Sequence, residues 1–265
     1  MKSIAVYLNN FIIFSVLLLG GCASTQQATD SPDTTGNLGR EKRNSPAKIY
    51  VEMGMAYMRD GQPAVALQKL KKALDVDDRS ADAHNVIAIL YEQLGEKDRA
   101  GRHYDRAVGL DARDPFIRNA RGSYFCRQGR YEEALQDFEQ ALANPLYPTP
   151  WVALTNAGLC VERSGDEAKA EKYYRRALTA RNTYPAALVQ MAKISLHQEK
   201  NFSARAYLER YHSEVKPTAA SLWLGVQIEK RLGDRAKSRE YRQRLLKEFP
   251  DAPEVQSLYE AEKNR

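Results

Sequence analysis

Residues 122–141 read Gly122-Ser-Tyr-Phe125-Cys-Arg-Gln-Gly129-Arg-Tyr-Glu-Glu-Ala134-Leu-Gln-Asp-Phe138-Glu-Gln-Ala141. Small residues at 122 and 134 let two helix backbones approach closely, and the rings of Phe125 and Phe138 fill the gaps beside the crossing. Gly129 ends the first helix at low steric cost, because a glycine enters the left-handed region freely. The stretch therefore reads as a helix, a tight turn and a second, antiparallel helix.

The same spacing recurs in both directions. Gly54, Ala88 and Gly122 are 34 residues apart; Gly158 follows after 36 and Ala192 after another 34. Ala66, Ala100, Ala134, Ala170, Ala204 and Ser238 form a second series. A third is Ala73, Ala107, Ala141 and Ala177, giving way to Tyr211 and Leu245. Large residues run between them: Tyr57, Tyr91, Phe125 and Val161 on first helices, Leu70, Tyr104, Phe138, Tyr174 and Leu208 on second helices. Gly61, Gly95, Gly129 and Gly165 mark the turns, and Pro115, Pro148, Pro185 and Pro250 fall at repeat boundaries, where they stop the second helix. A unit of this length buries its apolar stripe only by stacking on its neighbours.

This pattern resembles the tetratricopeptide-repeat (TPR) family over residues 47–250. Six repeats are counted: 47–80, 81–114, 115–148, 151–184, 185–218 and 219–252. The sixth is the most degenerate, with Arg242 where the second helix's large residue belongs. Residues 253–265 read as a short helical cap. The expected fold is all-α: a right-handed superhelical solenoid of six repeats with a C-terminal capping helix.

The resemblance implies a concave groove lined by positions 2, 5, 9, 12 and 13 of each first helix. In order these are Lys48, Val51, Met55, Met58 and Arg59; Asp82, Asn85, Ile89, Glu92 and Gln93; Phe116, Asn119, Ser123, Cys126 and Arg127. The second half supplies Val152, Thr155, Leu159, Glu162 and Arg163; Ala186, Val189, Lys193, Leu196 and His197; Ala220, Trp223, Gln227, Lys230 and Arg231. Apolar groups among Asn and Arg suit capture of a partner's helix or extended segment, with some of the set covered by neighbouring repeats. The TPR clamp that grips a C-terminal carboxylate needs Lys and Asn at its first two positions. Here they are Val51 and Met55, so that subtype is rejected.

The N-terminus differs. Lys2 precedes the apolar run Phe11–Leu19, and Leu19-Gly20-Gly21-Cys22 follows. The run is too short to span a bilayer comfortably. The motif resembles the lipobox of bacterial lipoproteins, which implies a signal peptide over 1–21 and lipidation at Cys22. Several acyl chains anchor a protein stably where one does not. Ala23 follows the cysteine, and by resemblance to Gram-negative lipoprotein sorting this favours the outer membrane. Residues 22–46, poor in large aliphatic side chains, read as a flexible tether with an r.m.s. reach of roughly 25–30 Å.

Chemistry is poorly represented. The chain of 265 residues has 40 basic and 34 acidic side chains, a net charge of +6, with the signs interspersed along helices. That reads as solvated helix faces, not a nucleic-acid surface. His84, His103, His197 and His212 lack metal-ligand spacing and read as surface or groove residues. No phosphate-binding loop or nucleophile elbow occurs, and Glu132-Glu133 reads as a solvated pair. Neither enzyme activity, cofactor nor metal is expected. Cys126 and Cys160 lie on the first helices of adjacent repeats, close enough to raise a disulfide. Their expected directions, one into the groove and one toward the core, favour two half-buried thiols.

Several stretches together resemble the PilF/PilW family of type IV pilus biogenesis lipoproteins. They are Tyr50-Val-Glu-Met-Gly54-Met-Ala-Tyr57, Ser80-Ala-Asp-Ala-His84, Gly129-Arg-Tyr-Glu-Glu-Ala134, Asn156-Ala-Gly158-Leu and Ala187-Leu-Val-Gln-Met-Ala192. A two-residue expansion after Leu146-Tyr147-Pro148 and the lipobox complete the likeness. The family implies a pilotin, carried by the lipoprotein sorting machinery to the periplasmic face of the outer membrane, that localises the pilus secretin and aids its oligomerisation. Its groove contacts would fall on Met55, Met58, Asn85, Ile89, Phe116, Asn119, Leu159 and Trp223. The rival readings are another periplasmic TPR adaptor lipoprotein, serving outer-membrane protein assembly or peptidoglycan enzymes, and an enzyme or regulatory subunit of envelope synthesis.

Overall fold

A computed structural model describes residues 45–263. The signal peptide, Cys22 and all but the last residues of the tether lie outside this range. The described residues belong to one compact unit.

Thirteen helices and no strands occur among the described residues. The first six hairpin units are α1 (Pro46–Arg59) with α2 (Pro63–Val76), α3 (Ala81–Gln93) with α4 (Lys97–Leu110), and α5 (Pro115–Arg127) with α6 (Tyr131–Leu142). They continue with α7 (Pro150–Arg163) and α8 (Glu167–Ala180), α9 (Pro185–His197) and α10 (Asn201–Glu214), and α11 (Ala219–Leu232) and α12 (Arg235–Glu248). The last helix is α13 (Pro253–Lys263).

Local chemistry sets the helix starts. Ser45, Ser80 and Asp114 cap α1, α3 and α5, their side-chain oxygens accepting backbone N–H groups of the first turn. The sequence reading expected Pro115 and Pro185 to stop second helices, but those helices end earlier, at Leu110 and Ala180. The two prolines open α5 and α9, where a missing N–H costs nothing. The turn within each hairpin needs one left-handed residue. Gly61, Gly95, Gly129, Gly165 and Gly233 supply it, and in the fifth repeat Glu199 takes that conformation at φ 58°.

Each first helix packs on its own second helix, and each second helix packs on the next first helix. The core is thus a continuous row of interlocked clusters. One spans Val51, Leu70 and Leu90; the central one contains Tyr104, Phe125, Phe138, Tyr174 and Met191; the last contains Leu208, Leu222, Tyr241 and Leu245. The helix α13 packs on α11 as a further first helix would, burying Val255 and Leu258. That covers the apolar end of the stack.

The close crossings show how small residues act. A Cβ on Gly158 would stand 2.5 Å from the Tyr174 ring, so the ring occupies the space glycine leaves. The sixth repeat corrects the sequence reading. Its aromatic place is not lost to Arg242: Tyr241, one residue earlier, is buried and packs over Gly225, also one residue earlier than the expected small position. The helix starts keep their 34-residue register, but the contacting position moves back by one on each helix, so the 16-residue interval between small residue and ring is preserved.

Two buried charges tie elements together. Asp137 on α6 is 1% exposed and accepts from Arg118 Nη1 at 2.7 Å, Arg121 Nε at 2.7 Å and Arg121 Nη2 at 2.9 Å. Arg121 also reaches Asp105 of α4 at 3.0 Å. Glu229 on α11, equally buried, pairs with Arg205 of α10.

Candidate protein-binding groove

The residues assigned to the groove lie on the six first helices, and their burial differs. Met55 and Phe116 are open, at 38% and 49% exposure. Met58, Asn85, Ile89, Asn119, Leu159 and Trp223 are half-buried. Met58 packs on the first cluster, Ile89 and Leu159 on the central one, and Trp223 on the last. Val51, Cys126 and Thr155 are buried, so they hold the stack together and offer a partner nothing.

The structure joins Cys126 to Cys160 in a disulfide, with Cα atoms 5.5 Å apart. The expected pair of half-buried thiols is therefore corrected. Side-chain direction within a single repeat leaves out the contact between α5 and α7. They pack against each other, and Cys126 turns inward to 7% exposure to meet Cys160 at 0%.

Phe116 stands edge-on to Tyr147, ring centroids 5.3 Å apart at 84°. Tyr147 belongs to the expanded turn between α6 and α7 and is buried against Ala141 and Ala153. Beside it Leu146 is 86% exposed. The expansion thus plants one aromatic in the core and leaves Phe116 and Leu146 uncovered.

Polar groups on this face are organised in ways the sequence did not announce. Asn156 Nδ2 donates to Asn119 Oδ1 at 3.0 Å, linking α7 to α5. Asn85 Oδ1 is buried and has no partner among the described residues. Glu92 receives both Arg127, across the repeat boundary, and the Tyr104 hydroxyl at 3.1 Å. Tyr174 donates to Glu162 at 2.6 Å in the same manner two repeats on. Burial, then the neighbouring carboxylate, holds both phenols protonated far above their ordinary range. The signal was present: each pair is 12 residues apart.

The histidines are less exposed than expected. His84 and His103 pair with each other, and His212 is half-buried with Nε2 3.0 Å from Ser221 Oγ. Only His197 is exposed, beside Glu167 at 2.6 Å.

Tetratricopeptide-repeat family models match residues 51–115, 119–185 and 219–252. The crystal structure of PilW, described as a widely conserved type IV pilus biogenesis factor, superposes with a TM-score of 0.74. It is 31% identical and covers 82% of this chain and 99% of its own. The chain is a tetratricopeptide-repeat protein of the PilF/PilW family. PilF of Pseudomonas aeruginosa, a type IV pilus assembly protein, is 29% identical over 221 residues, 83% of this chain and 87% of that protein. Its solved structure gives a TM-score of 0.75, covering 84% of this chain and 99% of that one. Residues 185–218, between the matched segments, fold as the same helix pair in this PilF/PilW-type protein.

Proposed function

We propose that this protein is a pilotin: an outer-membrane lipoprotein, anchored through Cys22 on the periplasmic face, whose first-helix groove holds a subunit of the type IV pilus secretin. The observation that carries this reading is the extent of the likeness: the same repeats in the same order along 99% of the solved PilW and PilF chains. The groove adds physical support. An apolar surface interrupted by paired asparagines and fixed Arg–Glu pairs binds a protein segment through its side chains while aligning its backbone. Lipidation would hold the protein where the subunits must meet and so raise their effective concentration without a new contact. No chemical step is assigned; the protein acts by holding.

The experiment compares secretin multimers in membrane fractions from cells with and without this protein. Loss or mislocation of the multimers supports the pilotin reading, and unchanged multimers in the outer membrane sink it. Capture of the secretin subunit should also weaken in Phe116→Ala and Met55→Ala. Retained capture by both would move the binding surface elsewhere.

A further inference from the structure

A cavity of about 340 Å³ lies between α3 and α4, lined by His84, Tyr91, Arg99, Arg102, His103 and Arg106. None of these is a groove position. His84 and Tyr91 are offset by about 100° around α3 from Asn85 and Glu92, so the cavity opens on a different side of the repeat.

Its charge is one-sided. Three arginines line it and no carboxylate does. Arg99 has only a 3.8 Å approach to Glu96, both side chains more than half exposed. Arg102 and Arg106 have no ion-pair partner among the described residues. Like charges gathered this way repel one another, and a bound anion removes that cost.

The imidazoles complete the pocket. His84 Nε2 lies 3.4 Å from the Asp78 carbonyl, which can only accept, so the proton of His84 sits on Nε2. Its Nδ1 is then an acceptor, and His103 Nδ1–H donates to it at 2.9 Å. The pair is neutral, and the ring nitrogen it leaves without a partner among the described residues, His103 Nε2, can accept from a phosphoryl O–H. His103 faces His84 and Tyr91 from α3 and the arginines of its own helix; His84 faces Asp78 and Arg106.

The fourth repeat offers an internal comparison. Lys169, Lys172 and Arg176 stand 70 residues beyond Arg99, Arg102 and Arg106, at the same repeat positions, beside a cavity of about 470 Å³. There Asp166 lines the space, and Tyr173 replaces the histidine and donates to Glu139 at 2.7 Å. Of the two, only the second-repeat pocket has no carboxylate among its lining residues, and its three cations are all arginine, whose planar fork matches phosphoryl oxygens.

We propose that the pocket of His84, His103, Arg102 and Arg106 binds a phosphate ester, its phosphoryl oxygens held by the guanidinium groups and the imidazole pair. The volume leaves room for the alcohol the phosphate esterifies. This inference stands apart from the groove reading.

The test follows the Hε1 resonances of His84 and His103 by NMR in the purified full-length protein. Inorganic phosphate, dihexanoyl phosphatidylglycerol and sodium chloride at matched ionic strength are titrated separately. Saturable displacement by a phosphate compound beyond that given by chloride is expected. Tighter saturation by the lipid assigns a headgroup site, and tighter saturation by inorganic phosphate assigns a small soluble phosphate. Arg102→Gln/Arg106→Gln should weaken binding by about tenfold or more, while Lys169→Gln/Lys172→Gln leaves it unchanged. Shifts no larger than those from chloride, or equal affinity in the Arg102/Arg106 variant, overturn the proposal.

Discussion

Cys126 and Cys160 bind α5 to α7 directly, joining first helices of adjacent repeats across 34 residues of sequence. In a solenoid each repeat contacts only its neighbours, so its stability is a chain of local interfaces. A covalent link across one of them resists local opening in the middle of the stack. From loop length alone the bond contributes about 3–4 kcal/mol by restricting the unfolded chain. Cys126→Ser/Cys160→Ser should lower the urea midpoint accordingly. Intact mass with and without reductant and alkylation checks that the native protein holds one such bond; a chain with both thiols free would contradict the structure.

Asp137 makes the complementary, non-covalent tie. It is buried and accepts three hydrogen bonds from Arg118 and Arg121. Asp137→Ala strips Arg118 of its counter-charge and leaves Arg121 only the exposed Asp105, both guanidinium groups being 17% exposed. Removing one partner of a buried pair costs about 3–5 kcal/mol. Asp137→Asn, which keeps the shape and one acceptor oxygen, should cost less. Equilibrium urea unfolding of the two variants measures the difference, and equal losses would mean that volume, not charge, matters there.

Glu199 occupies the left-handed turn position that glycine fills in the other repeats. A side chain in that region costs roughly 1 kcal/mol or more. Its ion pair with Arg231, 3.6 Å apart and largely exposed, offsets little of this. Glu199→Gly should therefore stabilise the protein by about 1 kcal/mol, seen as a higher thermal midpoint with an unchanged helical circular dichroism spectrum.

The helical repeat was legible because each unit restates the same few constraints. A small residue at 122 or 158 is decisive only because a ring 16 residues later fills its space. Repetition also misled where the repeat bends its own rule. At Tyr241 and Gly225 the contacting positions fall one residue early on helices that keep their register, and periodicity pointed to Arg242 instead. The disulfide escaped because it depends on how α5 and α7 pack, a relation between repeats that positions within one repeat do not encode. In the groove, apolar type was readable at Met55 and Phe116. The pairing of Asn119 with Asn156, and of Glu92 with Arg127, required knowing which residues of successive helices face each other. The His84–His103 contact joins residues 19 apart, one on each helix of a hairpin, at a spacing no metal or catalytic motif flags.

That contact sets a pH dependence of stability. Burial first, then the His84 and Arg102 charges, lowers the His103 pKa from 6.5 to about 4. Burial and the Arg106 charge lower that of His84, against the raising effect of its hydrogen bond to the Asp78 carbonyl. Each imidazole is therefore neutral when folded at pH values where the unfolded chain would already carry the proton. Between pH 6.5 and about 4 the unfolded state binds more protons, so stability falls as pH falls through that window and is unaffected above it. Carboxylates such as Glu171, with pKa values lowered by Gln198 and Arg175, act only below their ordinary value of 4.5. His103→Gln should flatten the acid slope between pH 6.5 and about 4.5 while leaving neutral-pH stability nearly unchanged. Urea midpoints across that range, in buffer free of phosphate, provide the measurement. The same slope in the native protein and in His103→Gln would place the acid sensitivity elsewhere.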